Sequence, residues 1–295
     1  MSDSPAALQS QSDREFCWEL ILRTRPNFSS SCLYTARETS ARLVALYALF
    51  SSLEELFCRV TDEQVAQAKL VWWKTQLLGK EYTTSDHPVT RHLRQTEAIT
   101  SASIGYVQNL LNSTGQRMDH GSVADETGLK ELCVVVALDQ MKLELSLDGA
   151  IPISPWAIEN ACAVVGLVQL LRESSRGVAP TYSWVPLTVL AQLGVNRSEL
   201  AQNRDSEAVR KLISRLCAMG LNWLPAGSDV CKRPLLAPSL PGTTAARHWL
   251  IQLRLCVRLL QKLPGKTTSG ASRIFSRTTA GDVWCAWRCA RTLAR

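Results

Sequence analysis

Apolar residues along this chain recur at intervals of three and four, while the alternation of a half-buried strand is almost missing. That periodicity constrains the fold more than any other feature, because apolar helix stripes must be buried against one another where no sheet is foreshadowed. Helices are expected at Asp13–Arg23, stopping before Pro26, and at Ser40–Arg59. Thr61, with Gln64 completing a capping box, opens the next, which runs through Trp72–Trp73 and closes at Gly79. Pro88–Leu111, Asp125–Leu147 and Ser154–Glu173 follow, the last with Ser154 as cap and Pro155 in its first turn. Beyond a loop at Ser174–Ser183 the pattern returns at Val185–Leu193, Asp205–Leu224, Thr243–Leu263 and Thr279–Ala294. Leu224–Gly242, rich in Pro and Gly, reads as an irregular connection. The expected fold is all-α, a single-domain bundle of roughly ten helices.

Composition narrows the setting. A hydrophobic fraction of 46% supplies core material, yet no run of about 18 apolar residues appears. The polar opening, with Asp3, Asp13 and Glu15, argues against a signal peptide or a mitochondrial presequence. The expected location is cytoplasmic, or peripheral on the inner membrane face. Ten cysteines include no Cys-x-x-Cys, and none of the four histidines stands at ligand spacing from a Cys pair. The cysteines therefore read as small buried hydrophobes in a reducing compartment, with no metal site among them. Trp72–Trp73 reads as core, one ring buried and the other at a helix contact.

Charge is unevenly spread. Lys232–Arg295 holds 12 Lys/Arg and one acid, Asp282, so this segment carries +11 on a body at −4. On a helical wheel Arg247, Arg254, Arg258 and Lys262 form one stripe; Trp284, Trp287, Arg288, Arg291 and Arg295 cluster on another. Such a Trp-plus-Arg face suits an anionic membrane surface or an acidic protein partner; the plainer alternative is a solvated basic face with the indoles packed inward. Nucleic acid is disfavoured, since no helix-turn-helix, RNA-binding or zinc signature accompanies the charge.

Four segments carry a resemblance. Asn27–Phe28–Ser29–Ser30 and Arg42–Phe50, then Trp73–Lys74 with His87–Pro88–Val89, then Gly166–Val195 with Leu170–Leu171–Arg172, Pro186 and Gly194–Val195, resemble in order the signature elements of the squalene/phytoene synthase family. The resemblance spans roughly residues 27–265. It divides the chain into an N-terminal extension with a short helix (1–26), the synthase-like domain (27–265) and a basic Trp/Arg-rich terminal helix (266–295). It implies an isoprenoid-synthase bundle around a central cavity, with two Asp-bearing helices holding Mg²⁺ for a departing diphosphate. A hard cation with oxygen ligands is what that leaving group needs.

At the positions this resemblance assigns to those aspartates, the sequence reads Glu54–Glu55 with Cys58, and Gln169–Leu170–Leu171–Arg172–Glu173 with Gly177. A longer arm, a thiol and a missing side chain do not suit the near-ideal octahedron of Mg²⁺. Glu54, Glu55, Cys58, Glu173 and Gly177 are accordingly vestigial motif positions, and Tyr47, Gln169 and Arg172 are cavity or ligand candidates. Arg172 is expected to pair with an acid such as Glu173 or Glu55. One branch of the family, the phytoene-synthase-like mitochondrial complex I assembly factor, is similar across Gly166–Leu167–Val168, Leu171–Arg172 and Val185–Pro186. The functional expectation is a non-catalytic assembly or scaffold factor for a membrane complex, without cofactor. The alternative is a prenyl transferase, which would require Mg²⁺, or an isoprenoid- or lipid-binding protein using an altered cavity.

Overall fold

Two helices pack so closely that only glycine is tolerated between them. A Cβ on Gly166 would lie 2.0 Å from the Cys133 carbonyl oxygen, so the backbones of the helices Glu126–Leu145 and Pro155–Arg176 touch there. A computed structural model describes residues 5–119, 121–149, 155–177, 183–224 and 244–293. These form fourteen α-helices with no strand among the described residues, as the periodicity requires. They are α1 (Pro5–Thr24), α2 (Phe28–Cys32), α3 (Arg37–Cys58), α4 (Glu63–Leu78), α5 (Pro88–Gln95), α6 (Ile104–Met118) and α7 (Glu126–Leu145). The second half holds α8 (Pro155–Arg176), α9 (Leu187–Leu193), α10 (Arg197–Gln202), α11 (Glu207–Asn222), α12 (Thr244–Lys262), α13 (Thr268–Phe275) and α14 (Ala280–Leu293).

Among the described residues two large apolar cores result, with a smaller cluster between α12 and α14. One gathers α1, α3, α4, α5 and α6 around Phe28, Leu46, Phe50 and Leu111. The other gathers α7, α8, α9, α11, α12 and α13 around Leu129, Leu167, Leu216 and Leu260. α3 is buried almost continuously from Leu43 to Ser51, which places it centrally. α1 is tied to α5 by a buried Asp13 carboxylate that Arg91 holds at 2.6 Å. Among the described residues no helix is long and apolar enough to cross a membrane.

Several boundaries differ from expectation for local reasons. Asp62, not Thr61, caps α4, accepting from the Gln64 and Val65 amides at 2.8 and 3.2 Å. A carboxylate also suits the positive end of the helix dipole there. The expected helix Pro88–Leu111 is two helices. Glu97 adopts a left-handed conformation (φ 52°), and the Ala98 amide turns back to the Leu93 carbonyl. Ala98 and Ile99 stay buried across the break, so the apolar rhythm conceals it. Asp205 does not open α11: Ser206 caps it, while the Asp205 carboxylate accepts from the Ser269 amide and hydroxyl. The short helices α2, α10 and α13 had no counterpart in the expected set, which therefore undercounts the bundle. The expected Ser154 cap and the Leu224–Gly242 connection from 225 onward lie outside the described residues, as does Arg295.

The nine cysteines described are buried and none of them is in a disulfide, as small hydrophobes would be. Trp73 is buried and Trp72 is 40% exposed, with His87 packed edge-on against both rings at 5.1 and 5.3 Å.

Candidate functional site

The side chains that join α3 to α8 between the two cores are charged. Glu54 projects from the buried face of α3, its neighbour Glu55 from the outer face, because consecutive helical residues lie about 100° apart. Glu55 pairs outward with Arg23 at 2.7 Å and with Arg59 at 3.7 Å. Glu54 is 1% exposed and meets three arginines. Its Oε1 accepts from Arg172 Nε at 2.9 Å and Arg176 Nη1 at 3.4 Å. Its Oε2 accepts from Arg172 Nη2 at 2.8 Å and Arg25 Nε at 3.2 Å. A carboxylate offers about four lone-pair sites, and here all are used.

Burial pushes the Glu54 carboxyl up, but Arg172, Arg25 and Arg176 together overcome it and hold the group at about 2. Burial likewise draws the Arg172 guanidinium down, and the two-pronged contact with Glu54 more than reverses this. For Arg25 burial wins, and its guanidinium falls below its ordinary value. Both remain cations at neutral pH.

Arg172 thus pairs with Glu54, not with Glu173 or Glu55 as the sequence suggested. Glu173 faces Arg117, whose Nη1 donates at 3.1 Å and whose Nη2 makes a second, short contact. Gln169 Nε2 donates to the same carboxylate at 3.1 Å, and Gln169 Oε1 accepts from Arg25 at 3.3 Å. Four guanidinium groups therefore surround two carboxylates, leaving an excess of positive charge. Cys58 stands against α8, its thiol 3.9 Å from the Glu173 carbonyl, and burial pushes that thiol well above its ordinary value. Gly177 ends the row as a buried backbone position. Among the described residues no three His, Cys, Asp or Glu side chains converge on a metal-sized site.

Tyr47, Gln169 and Arg172 do line one cavity, of about 50 Å³, together with Arg25 and Glu144. That is room for a few waters, far below the roughly 300–1,000 Å³ of ordinary ligand pockets. A second cavity of about 320 Å³ opens beside Phe57, Arg117, Glu173 and Gly177.

Behind Tyr47 lies a second buried polar network. The Tyr47 hydroxyl donates to Glu144 Oε2 at 2.9 Å, and His248 Nδ1 meets Glu144 Oε1 at 2.6 Å. His248 Nε2 meets the Ser31 hydroxyl at 2.9 Å. His248 and Ser31 are fully buried and Glu144 nearly so. Sequence reasoning missed Arg25, Arg117, Arg176, Glu144 and His248. The one available signal was a His between Arg247 and Trp249 in α12 and a Glu between Leu143 and Leu145 in α7.

The basic stripe on α12 is half committed. Arg258 holds Asp282 at 2.9 Å with Lys262 in contact, Arg254 Nε is buried without a hydrogen-bond partner, and Arg247 is half-buried. On α14, Trp284 and Trp287 are 56% and 40% exposed, with Arg288 and Arg291 stacked on them.

The carboxylates set the response to acid. Glu54 and Asp282 each sit at about 2, against ordinary values of 4.5 and 3.8; burial raises both, and their cationic and hydrogen-bonding partners prevail. The unfolded chain then binds more protons, so this stability is complete above the ordinary values and lost as pH falls toward 2. Urea titrations between about pH 4.5 and 2 are expected to show a loss of about 3 kcal/mol from Glu54 alone. A Glu54→Gln variant should show a shallower slope over that window; an unchanged slope would mean that Glu54 is not the group responsible.

The sequence pattern described as squalene/phytoene synthase matches residues 22–275. No curated protein matches the chain. Among solved structures, a squalene synthase from Alicyclobacillus acidocaldarius is similar with a TM-score of 0.61 at 18% identity, over 86% of this chain and 94% of that one. A dehydrosqualene synthase crystallised with a ligand gives a TM-score of 0.62 at 16% identity, over 97% of this chain and 96% of its own. These similarities establish the isoprenoid-synthase fold, and with a family pattern covering most of its length the chain belongs to the squalene/phytoene synthase family.

Proposed function

We propose that this chain is a non-catalytic member of its family, serving as an assembly or scaffold factor for a membrane complex. The observation that carries the reading is the Glu54 carboxylate, with every lone pair taken by arginine. The residues at the motif positions do not fit Mg²⁺. Glu54 has no free oxygen site, Cys58 is a protonated thiol, Gly177 has no ligand, and Glu173 is held by Arg117. An excess of guanidinium further repels a divalent cation. The arginines supply within the protein the positive charge that metal ions would otherwise bring, so the region is tied together rather than kept open. The similarity of Gly166–Pro186 to the assembly-factor branch supports the scaffold role.

The 320 Å³ cavity favours a second reading, binding of an isoprenoid or other lipid without turnover, since it lies at the lower end of ligand-pocket volumes. The enzyme alternative, prenyl transfer on Mg²⁺, has no comparable observation behind it. Calorimetric titration with Mg²⁺ and pyrophosphate, singly and together, is the test. The reading expects no tight metal-coupled binding. Micromolar Mg²⁺ affinity that disappears in Glu173→Gln would overturn it.

A further inference from the structure

Helix α14 buries its small residues and exposes its large ones. Cys285, Ala286, Cys289 and Ala290 pack against Ile251 and Leu255 of α12, whereas Val283, Trp284 and Trp287 are 40–56% exposed. If these indoles served the interior, folding would have turned them inward, since an indole buries far more apolar area than a thiol or methyl. At 100° per residue, Val283, Trp287, Arg291, Trp284 and Arg288 follow one another around an arc of about 140°. Arg288 lies over the Trp284 ring at 5.4 Å and Arg291 over the Trp287 ring at 4.9 Å, so each exposed indole carries its own cation.

No acid shares this face. The one acidic residue of α13 and α14, Asp282, is 2% exposed and engaged by Arg258, Lys262 and Thr279. Burial raises its carboxyl and these partners bring it back to about 2, so it stays ionised and occupied inside. On α12 the Arg247–Arg254–Arg258 stripe shares the side of Ile251 and Leu255, and therefore flanks α14 instead of forming a separate surface. Neither cavity described above includes an α14 residue, and the exposed side chains of the helix stand out from it as a ridge.

We infer that the α14 ridge is a docking surface for an anionic lipid bilayer, with Trp284 and Trp287 at headgroup depth and Arg288 and Arg291 on lipid phosphates. The pairing of indole with guanidinium on an exposed helix face suits an interface of that chemistry: the ring needs a half-apolar layer and the cation an anionic one. A helix of this length lies along the surface and does not cross it. The inference is independent of the non-catalytic reading, because it draws on no residue of the Glu54 site.

The test is vesicle flotation of the full chain on phosphatidylcholine with and without phosphatidylglycerol, at low and high salt. Binding is expected only to the anionic vesicles. It should collapse at high salt, because the Debye length shrinks to a few ångströms. Each arginine near the surface contributes about fivefold, so R288Q/R291Q should weaken partitioning by roughly 25-fold. W284S/W287S should weaken it by on the order of tenfold while W284F/W287F largely retains it. Because these side chains are exposed, the variants should melt with the wild type, which separates loss of docking from loss of fold. Equal binding to neutral vesicles, no binding, or anionic binding that the variants leave unchanged would each overturn the inference. So would arginine-dependent capture by an immobilised acidic polypeptide without vesicle binding, which would assign the ridge to a protein.

Discussion

Replacing Glu54 by Gln is expected to cost about 3–5 kcal/mol, the range seen when one partner of a buried ion pair is removed. The arithmetic is local. The amide cannot balance Arg25, Arg172 and Arg176, and its NH₂ places a donor against guanidinium donors that have no other carboxylate at that distance. The thermal midpoint should fall by roughly 6–15 °C, given a few degrees per kcal/mol for a chain of this size. Glu55→Gln is the internal control. Its pair with Arg23 is open to solvent, with side chains 22% and 48% exposed, so about 0–1 kcal/mol is expected. In a double-mutant cycle, Glu54→Leu with Arg172→Leu should recover part of the single-mutant loss. A Glu54→Gln protein as stable as wild type would show that the carboxylate is not tied up as described.

His248→Ala should be comparably damaging, at about 3–5 kcal/mol, for a related reason. The ring has no exposed surface and fills the space between Phe28 and Tyr47, at centroid distances of 5.3 and 5.2 Å. Truncation opens a cavity and deprives Glu144 and Ser31 of a shared partner, leaving Glu144 with the Tyr47 hydroxyl. Glu144→Leu combined with His248→Leu should cost clearly less than the sum of the two single changes, because each removes the partner that the other leaves stranded. Urea unfolding of the four proteins decides this; strictly additive losses would mean that the two groups do not act as a pair.

How much of this was legible beforehand depends on the range of the interaction. The α7, α8 and α12 helices were foreseeable because their apolar rhythm is local. The break at Glu97 was hidden because Ala98 and Ile99 preserve that rhythm while leaving the helix. Position 54 could be singled out only through the family pattern, and its partners could not be named. Arg172 lies 118 residues away, and Arg25 sits beside the helix-stopping Pro26, where it reads as part of a linker. Choosing between Glu54 and Glu55 requires knowing which face of α3 is central, and α3 is apolar around most of its circumference. On α14 the pattern was present but did not decide between its two sides. Cysteine and alanine at 285, 286, 289 and 290 mark the packed side, which leaves both tryptophans outward. The same pattern was equally compatible with buried indoles until the position of α12 was known.

The central claim is that Glu54 and its arginines occupy the place where metal-dependent chemistry would occur. Incubation of the full chain with farnesyl or geranylgeranyl diphosphate, in Mg²⁺ or Mn²⁺, tests it most directly. The account predicts no pyrophosphate release and no condensed product above a protein-free blank. Metal-dependent turnover that scales with protein concentration would contradict it.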